Sequence, residues 1–104
     1  MPNPITYTIE NLSDAREFLS EFHDPVILTN KTGSTRYYGM LVLDYMFKIL
    51  TKEFPQIVKI IINVENDHTA LFTAIKFNYQ NIIYTGESSE AKKLAAPHFL
   101  DEQH

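Results

Sequence analysis

The sequence predicts an α/β protein, a four-stranded parallel sheet in β-α-β-α-β-α-β-α order with helices on both faces. Short β-branched or aromatic runs alternate with amphipathic stretches along the chain. The connections between them are a few residues long, as expected when each strand is joined to a parallel neighbour by a helical crossover. One run, QIVKIIINV at 56–64, is apolar on both of its alternating sides, the pattern of a strand covered from two directions. Right-handed crossovers then lay the helices against the sheet. With 104 residues, 44% of them hydrophobic and 21% charged, the chain is expected to form a single domain over 1–104, with 97–104 as a partly ordered tail.

The elements follow in order. ITYTI (5–9) reads as the first strand, and ENLSDAREFLSEF after it places Leu12, Ala15, Phe18, Leu19 and Phe22 on one helical face. Asn11 or Ser13 can cap that helix and Pro25 lies beyond its end. PVILT (25–29) is the second strand, followed by the polar loop NKTGSTR and a helix over 37–54. QIVKIIINV is the third strand and the expected centre of the sheet. Asn66 or Asp67 caps a helix through TALFTAIKF, NIIYT (81–85) is the fourth strand, and Gly86 with Ser88 or Ser89 opens a last helix, EAKKLAA, that Pro97 stops.

Composition narrows the function classes. The net charge is −4, and nine Lys and Arg are scattered singly among thirteen Asp and Glu, so no basic stripe meets a phosphate backbone and nucleic acid is not an expected partner. No cysteine is present, which excludes a disulfide framework, a thiolate nucleophile and a Cys-based zinc site. MPNPITYTIE lacks the basic start and apolar run of a secretory signal, and no window approaches the length of a membrane span. The expectation is a cytoplasmic protein without a membrane partner or cofactor.

The strongest single signal is the helix 37–54. Its polar positions Asp44, Lys48, Thr51 and Lys52 recur at spacings of three and four and form one narrow stripe, where water is expected. The rest of its circumference is apolar, more than one sheet needs to cover. Each Leu, Phe or Met left in water forgoes about 1.5–3 kcal/mol. A second copy of the chain is the readiest cover, so a homodimer is expected, with Tyr38, Leu41, Val42, Tyr45, Met46, Phe47 and Ile49 in a two-fold interface.

Ligand chemistry is expected at the carboxyl ends of the strands, beside helix amino termini. NKTGSTR offers Lys31 and Arg36 as cations, Ser34 and Thr35 as hydroxyl donors, and Gly33 for a tight turn, a set suited to a small phosphate or carboxylate. It lacks the Walker spacing. ENDHT adds Asp67 and His68, and TGESS adds Ser88, to the candidate ligand residues, although helix capping is sufficient work for Asp67. The four His have no HxxxH or HExxH spacing, so no metal site is assigned, and no Ser, His and Asp arrangement has a nucleophile elbow, so no catalytic residue is assigned.

Two resemblances accompany these readings. Residues 38–86, with Tyr38-Gly39, Phe47, Pro55, IVKIIINV and ALFTAIKFNYQNIIYTG, are similar to a group of short uncharacterised bacterial α/β proteins. The resemblance implies the same order of strands and helices. Where that group carries a pattern like Asp-Cys-Gly-Asp, this chain has Asn63, Val64, Glu65 and Asn66, with Lys76 and Asn78 later, so it implies no Cys-dependent chemistry here. The first half, from TIENLSD through VILTN to FKIL, resembles antitoxins of the Phd/YefM class, which implies a minor alternative of an antitoxin-like DNA-binding protein with TRYYGMLVL as a strand. The leading expectation is a self-associating, non-enzymatic binding or regulatory module. The alternative is a small-molecule domain, an enzyme among the options, that binds an anionic ligand at the carboxyl edge of the sheet.

Overall fold

A computed structural model describes residues 3–99. Four strands, β1 (Ile5–Ile9), β2 (Val26–Asn30), β3 (Ile57–Glu65) and β4 (Ile82–Tyr84), form one parallel sheet in the order β1-β2-β3-β4. The helices are α1 (Leu12–Glu21), α2 (Ser34–Tyr37), α3 (Met40–Glu53), α4 (His68–Lys76) and α5 (Ser89–Ala95), with a 3-10 turn at Ala96–His98. The expected α/β class, element order and four-stranded parallel sheet are all present. TRYYGMLVL is helical, not the strand that the antitoxin resemblance implied.

Local chemistry accounts for the element ends. Asn11, rather than Ser13, caps α1 by accepting from the Asp14 amide at 2.8 Å. Asp67 accepts from the Ala70 amide and Ser88 from the Ala91 amide, both at 3.1 Å, so both loops are closed by side-chain caps. The helix expected over 37–54 is broken in two. Gly39 has φ 87° and ψ 153°, a conformation open to glycine that no helix continues through, so α2 ends before it and α3 restarts after it.

The placement of helices on both faces is corrected. When every strand is added on the same side of the one before it, each right-handed crossover falls on the same face, so the order β1-β2-β3-β4 collects its helices in one layer. Packing agrees: α1 touches α3, α3 touches α4 and α4 touches α5. Val26, Leu28, Ile62, Val64 and Ile82 point into a single core with Leu19, Leu43, Phe47, Leu50 and Leu71. Their alternate neighbours Ile27, Ile61 and Ile83 are only partly buried and lie outside that core. The least dimension is 19 Å, the depth of two layers, against broad sides of 42 by 31 Å. β3 is therefore interior in the sheet but covered by its own chain on one face alone, not on both as its sequence suggests.

Of the expected tail, Pro97 and His98 belong to the 3-10 turn, the His98 ring bonds the Tyr79 carbonyl at 2.8 Å, and Phe99 stacks on Tyr84. Pro97 is exposed and His98 and Phe99 are partly buried; 100–104 lie outside the described residues.

Candidate functional site

The carboxyl edge is organised by a residue that the sequence reading did not single out. Val26, Leu28 and Asn30 alternate onto the covered face of β2, and Asn30 is 3% exposed. Its Oδ1 accepts from the Asn63 amide at 2.7 Å, and its Nδ2 donates to the Asn63 carbonyl at 2.9 Å and to Ser34 Oγ at 2.9 Å. The amide thus pairs with β3 as another peptide unit would, just past the last strand partners, Thr29 and Ile61. It also ties the start of α2 to the sheet. The available signal was a polar residue at an alternate position whose two predecessors are buried.

From that clamp the loops are linked one to the next. Thr35 Oγ1 donates to Asp67 Oδ2 at 3.0 Å, and Arg36 donates to Asn66 Oδ1 at 3.0 Å. The Tyr38 hydroxyl donates to the Glu10 carbonyl at 2.9 Å, and Lys31 stands 3.8 Å from the Glu10 carboxylate. Of the seven candidate ligand residues, Ser34, Thr35, Arg36 and Asp67 are brought together around β2 and β3, and all are occupied by partners within the chain. His68 and Ser88 gather elsewhere, around the Tyr84 hydroxyl: the His68 ring is 2.7 Å from it, and the Ser88 amide donates to it at 3.4 Å. A side chain at Gly86 would run into the Tyr84 ring, so glycine is needed there for close approach rather than for its dihedrals.

Two clefts flank Tyr38. One, of about 430 Å³, lies between Ile9, Glu10 and Lys31 on one side and Ser34, Tyr37 and Tyr38 on the other. The second, of about 440 Å³, is a largely apolar groove between the start of α3 and α4, floored by Met40 and Ala70 with Asp67 at one end. Open α/β sheets bind ligands where strand order reverses and neighbouring loops part; a sheet in the order β1-β2-β3-β4 has no such reversal. The physical basis for expecting a ligand at this edge is weakened accordingly. Among the described residues, no group of three or more His, Asp or Glu is placed to hold a metal ion.

The helix α3 divides its expected interface residues. Met46 and Phe47 are buried in the core of their own chain, 6% and 0% exposed, and are corrected from interface to core. Leu41, Val42 and Tyr45 are exposed, Tyr38 is exposed beside Tyr37, and Ile49 is half-buried. The stripe expected to face water also differs. Asp44 is buried, accepting from the Tyr79 hydroxyl at 2.6 Å and pairing with Lys48 at 2.9 Å. Burial, then the hydrogen bond to Asp44 and its charge, holds the Tyr79 phenol well above the usual tyrosine range. The helix turns its Asp44 flank toward Tyr79 and leaves Leu41 and Tyr45 opposite the sheet.

Among the described residues, no helix is long and apolar enough to cross a membrane. No protein-family model and no solved structure matches the sequence. The chain is 56% identical over 89 residues to the uncharacterized protein RP547 of Rickettsia prowazekii (strain Madrid E), an alignment that covers 85% of this chain and 84% of that protein. With that identity over most of both chains, the chain belongs to the family of short uncharacterized bacterial proteins that includes RP547.

Proposed function

We propose that the protein is a self-associating, non-enzymatic binding or regulatory module of the cytoplasm. The observation that carries this reading is the apolar surface that one chain leaves exposed along α3. On the helix side, Leu41 is 72% exposed and Tyr45 62%, in line with Val42, Tyr38 and Ile49. On the other side, the sheet face away from the helices holds Ile27, Ile61 and Ile83, each partly buried, among Thr6, Thr8, Thr29, Lys59 and Asn63. Either surface is a candidate contact between copies. Two-fold contacts on both sides at once would have axes in parallel planes that never meet, and such contacts stack chains without closing. A closed dimer therefore uses at most one side. Gel filtration with light scattering at micromolar concentration is expected to give a dimer; a monomer across that range would end the reading.

A second reading is an anionic ligand in the cleft of about 430 Å³, where Lys31 faces Tyr37 and Tyr38. A thermal-shift screen of nucleotides, sugar phosphates and carboxylates tests it, with stabilisation abolished by Lys31→Ala as the supporting result. Absence of any shift at millimolar ligand would count against it.

A further inference from the structure

Resting on the self-association proposed above, we infer that two copies meet along the free edge of β1, which pairs antiparallel with its own copy about a two-fold axis centred on Tyr7 and joins the two sheets into one. The two edges of the sheet are guarded unequally. β4 has three residues, and Phe99 bridges to its Ile82. β1 has five, ITYTI, and ends the sheet on its side. Exposed edges are ordinarily blunted by charge, by Pro, by a bulge or by a covering segment. Within β1 there is no charge and no Pro, and its register with β2 runs unbroken from Ile5 to Ile9, whereas the other two strand pairings each carry a shift.

The backbone says what fits this edge. The Ile5 amide donates to the Pro25 carbonyl at 3.4 Å, so by alternation Ile5, Tyr7 and Ile9 turn their peptide groups to β2, while Thr6 and Thr8 turn theirs outward. An extended strand satisfies such groups. The order of residues favours this chain's own β1, because ITYTI reads the same in both directions. Antiparallel pairing centred on Tyr7 sets Thr6 against the partner's Thr8 and Thr8 against the partner's Thr6, each pair exchanging both N–H···O bonds, with Ile5 against the partner's Ile9. Like side chains then face each other across the strands. Neighbouring registers do worse. Centred on Thr6, the pairing sets Thr8 against the partner's Pro4, which has no N–H. Centred on Thr8, it sets Thr6 against the partner's Glu10, a residue whose carbonyl already accepts from the Tyr38 hydroxyl at 2.9 Å. The axis stands across the sheet, so the helices of both copies stay on one side of it and both α3 ridges stay open. Burial, then the charges of Asp14, Glu10 and Glu17, holds the Tyr7 phenol above the usual tyrosine range. The axis brings copies of those carboxylates toward one another, and the dimer should tighten as salt screens them.

The chain contains no cysteine, so a single introduced thiol reports one position unambiguously. Thr6→Cys, exposed beside the axis, is expected to give a covalent dimer with a short bis-maleimide, while Val42→Cys on α3 is not. Thr6→Pro removes an outward N–H that the chain's own ladder does not use. In light scattering it is expected to convert the dimer to a monomer with an unchanged far-ultraviolet circular dichroism spectrum, and Leu41→Glu with Tyr45→Glu to leave it a dimer. In the native protein, amide hydrogen exchange at Thr6 and Thr8 should slow as concentration rises through the dimerisation range. A wild-type monomer would overturn the self-association reading and this inference together. A dimer that salt loosens, that cross-links only through Val42→Cys, or that leaves the Thr6 and Thr8 amides unprotected would overturn this inference and leave self-association standing. If Thr6→Pro does not fold, exchange and cross-linking decide alone.

Discussion

The two faces of the sheet share isoleucines and sit in different surroundings: the covered face is apolar nearly throughout, whereas the other mixes Ile27, Ile61 and Ile83 with Thr6, Thr8, Thr29, Lys59 and Asn63. On one, Val26, Leu28, Ile62, Val64 and Ile82 are at most 1% exposed beneath four helices. On the other, Ile27, Ile61 and Ile83, each adjacent in sequence to a fully buried neighbour, remain partly open. No property of isoleucine separates Ile61 from Ile62. What separates them is the direction in which each strand is added, because sequential addition with one handedness of crossover deposits every helix on the same side. Burial in a parallel sheet is thus set by topology first and by side-chain type second.

The largest expected effect tests that difference directly. Ile62→Ala should destabilise the fold by about 2–5 kcal/mol in urea unfolding, independent of protein concentration, as expected for a cavity in a closed core. Ile61→Ala should cost less than Ile62→Ala in dilute protein, since Ile61 is only partly buried and lies outside the core cluster. Its cost should grow with concentration where a second copy lies over it. Equal losses at all concentrations would mean that the faces are equivalent.

Next comes the residue that reaches from the covered face to the loops. Asn30→Ala leaves the Asn63 amide and carbonyl without the partners they now have, at about 1–3 kcal/mol for each group left unsatisfied. Amide hydrogen exchange at Asn63 should accelerate in the variant, because that N–H is held by the Asn30 side chain. Unchanged protection there would show that the clamp is dispensable.

Tyr79→Phe, on the helix side, should cost about 1.5–3 kcal/mol, the range for hydrogen bonds to a charged group. The same contact sets a pH dependence. The folded phenol is held above its ordinary value, whereas the unfolded one ionises near pH 10. Its stabilising contribution is therefore complete below about pH 10 and is lost as the pH rises beyond it. Thermal unfolding midpoints should fall more steeply above pH 10 in the native protein than in Tyr79→Phe; parallel curves would contradict the assignment.

The smallest effect is expected on the outer side of α3. Leu41→Ser should change stability by no more than about 0.5 kcal/mol, since the side chain is 72% exposed. A larger loss that depends on concentration would place the outer side of α3 in a contact between copies.

Much of the fold was legible because its signals are local. The caps at Asn11, Asp67 and Ser88 and the boundaries near Pro25 and Pro97 depend on residues within one turn of each other. The broken helix at Gly39 was less legible, since a glycine inside an apolar run is compatible with a continuous helix until its dihedrals are known. The ligand edge was read in part. Its hydroxyls and charges do lie at the strand ends, but Thr35, Arg36 and Asp67 find partners one loop away, and chain order does not announce those pairings. Asp44 was placed on the wrong side of its helix for the same reason. Its partner Tyr79 lies 35 residues on and turns a charge expected in water into a buried acceptor.

By itself the sequence determined the class, the alternation of strands and helices and most of their ends, since periodicity and capping act over a few residues. It also recorded a nearly continuous β-branched run in β3, a pattern that does not tell one covered face from two. Tertiary structure alone decided the strand order, the single helix layer that follows from it and the division of α3 into a core side and an open ridge. Those depend on how crossovers are laid down in space, and no residue pattern carries the direction in which the next strand is added.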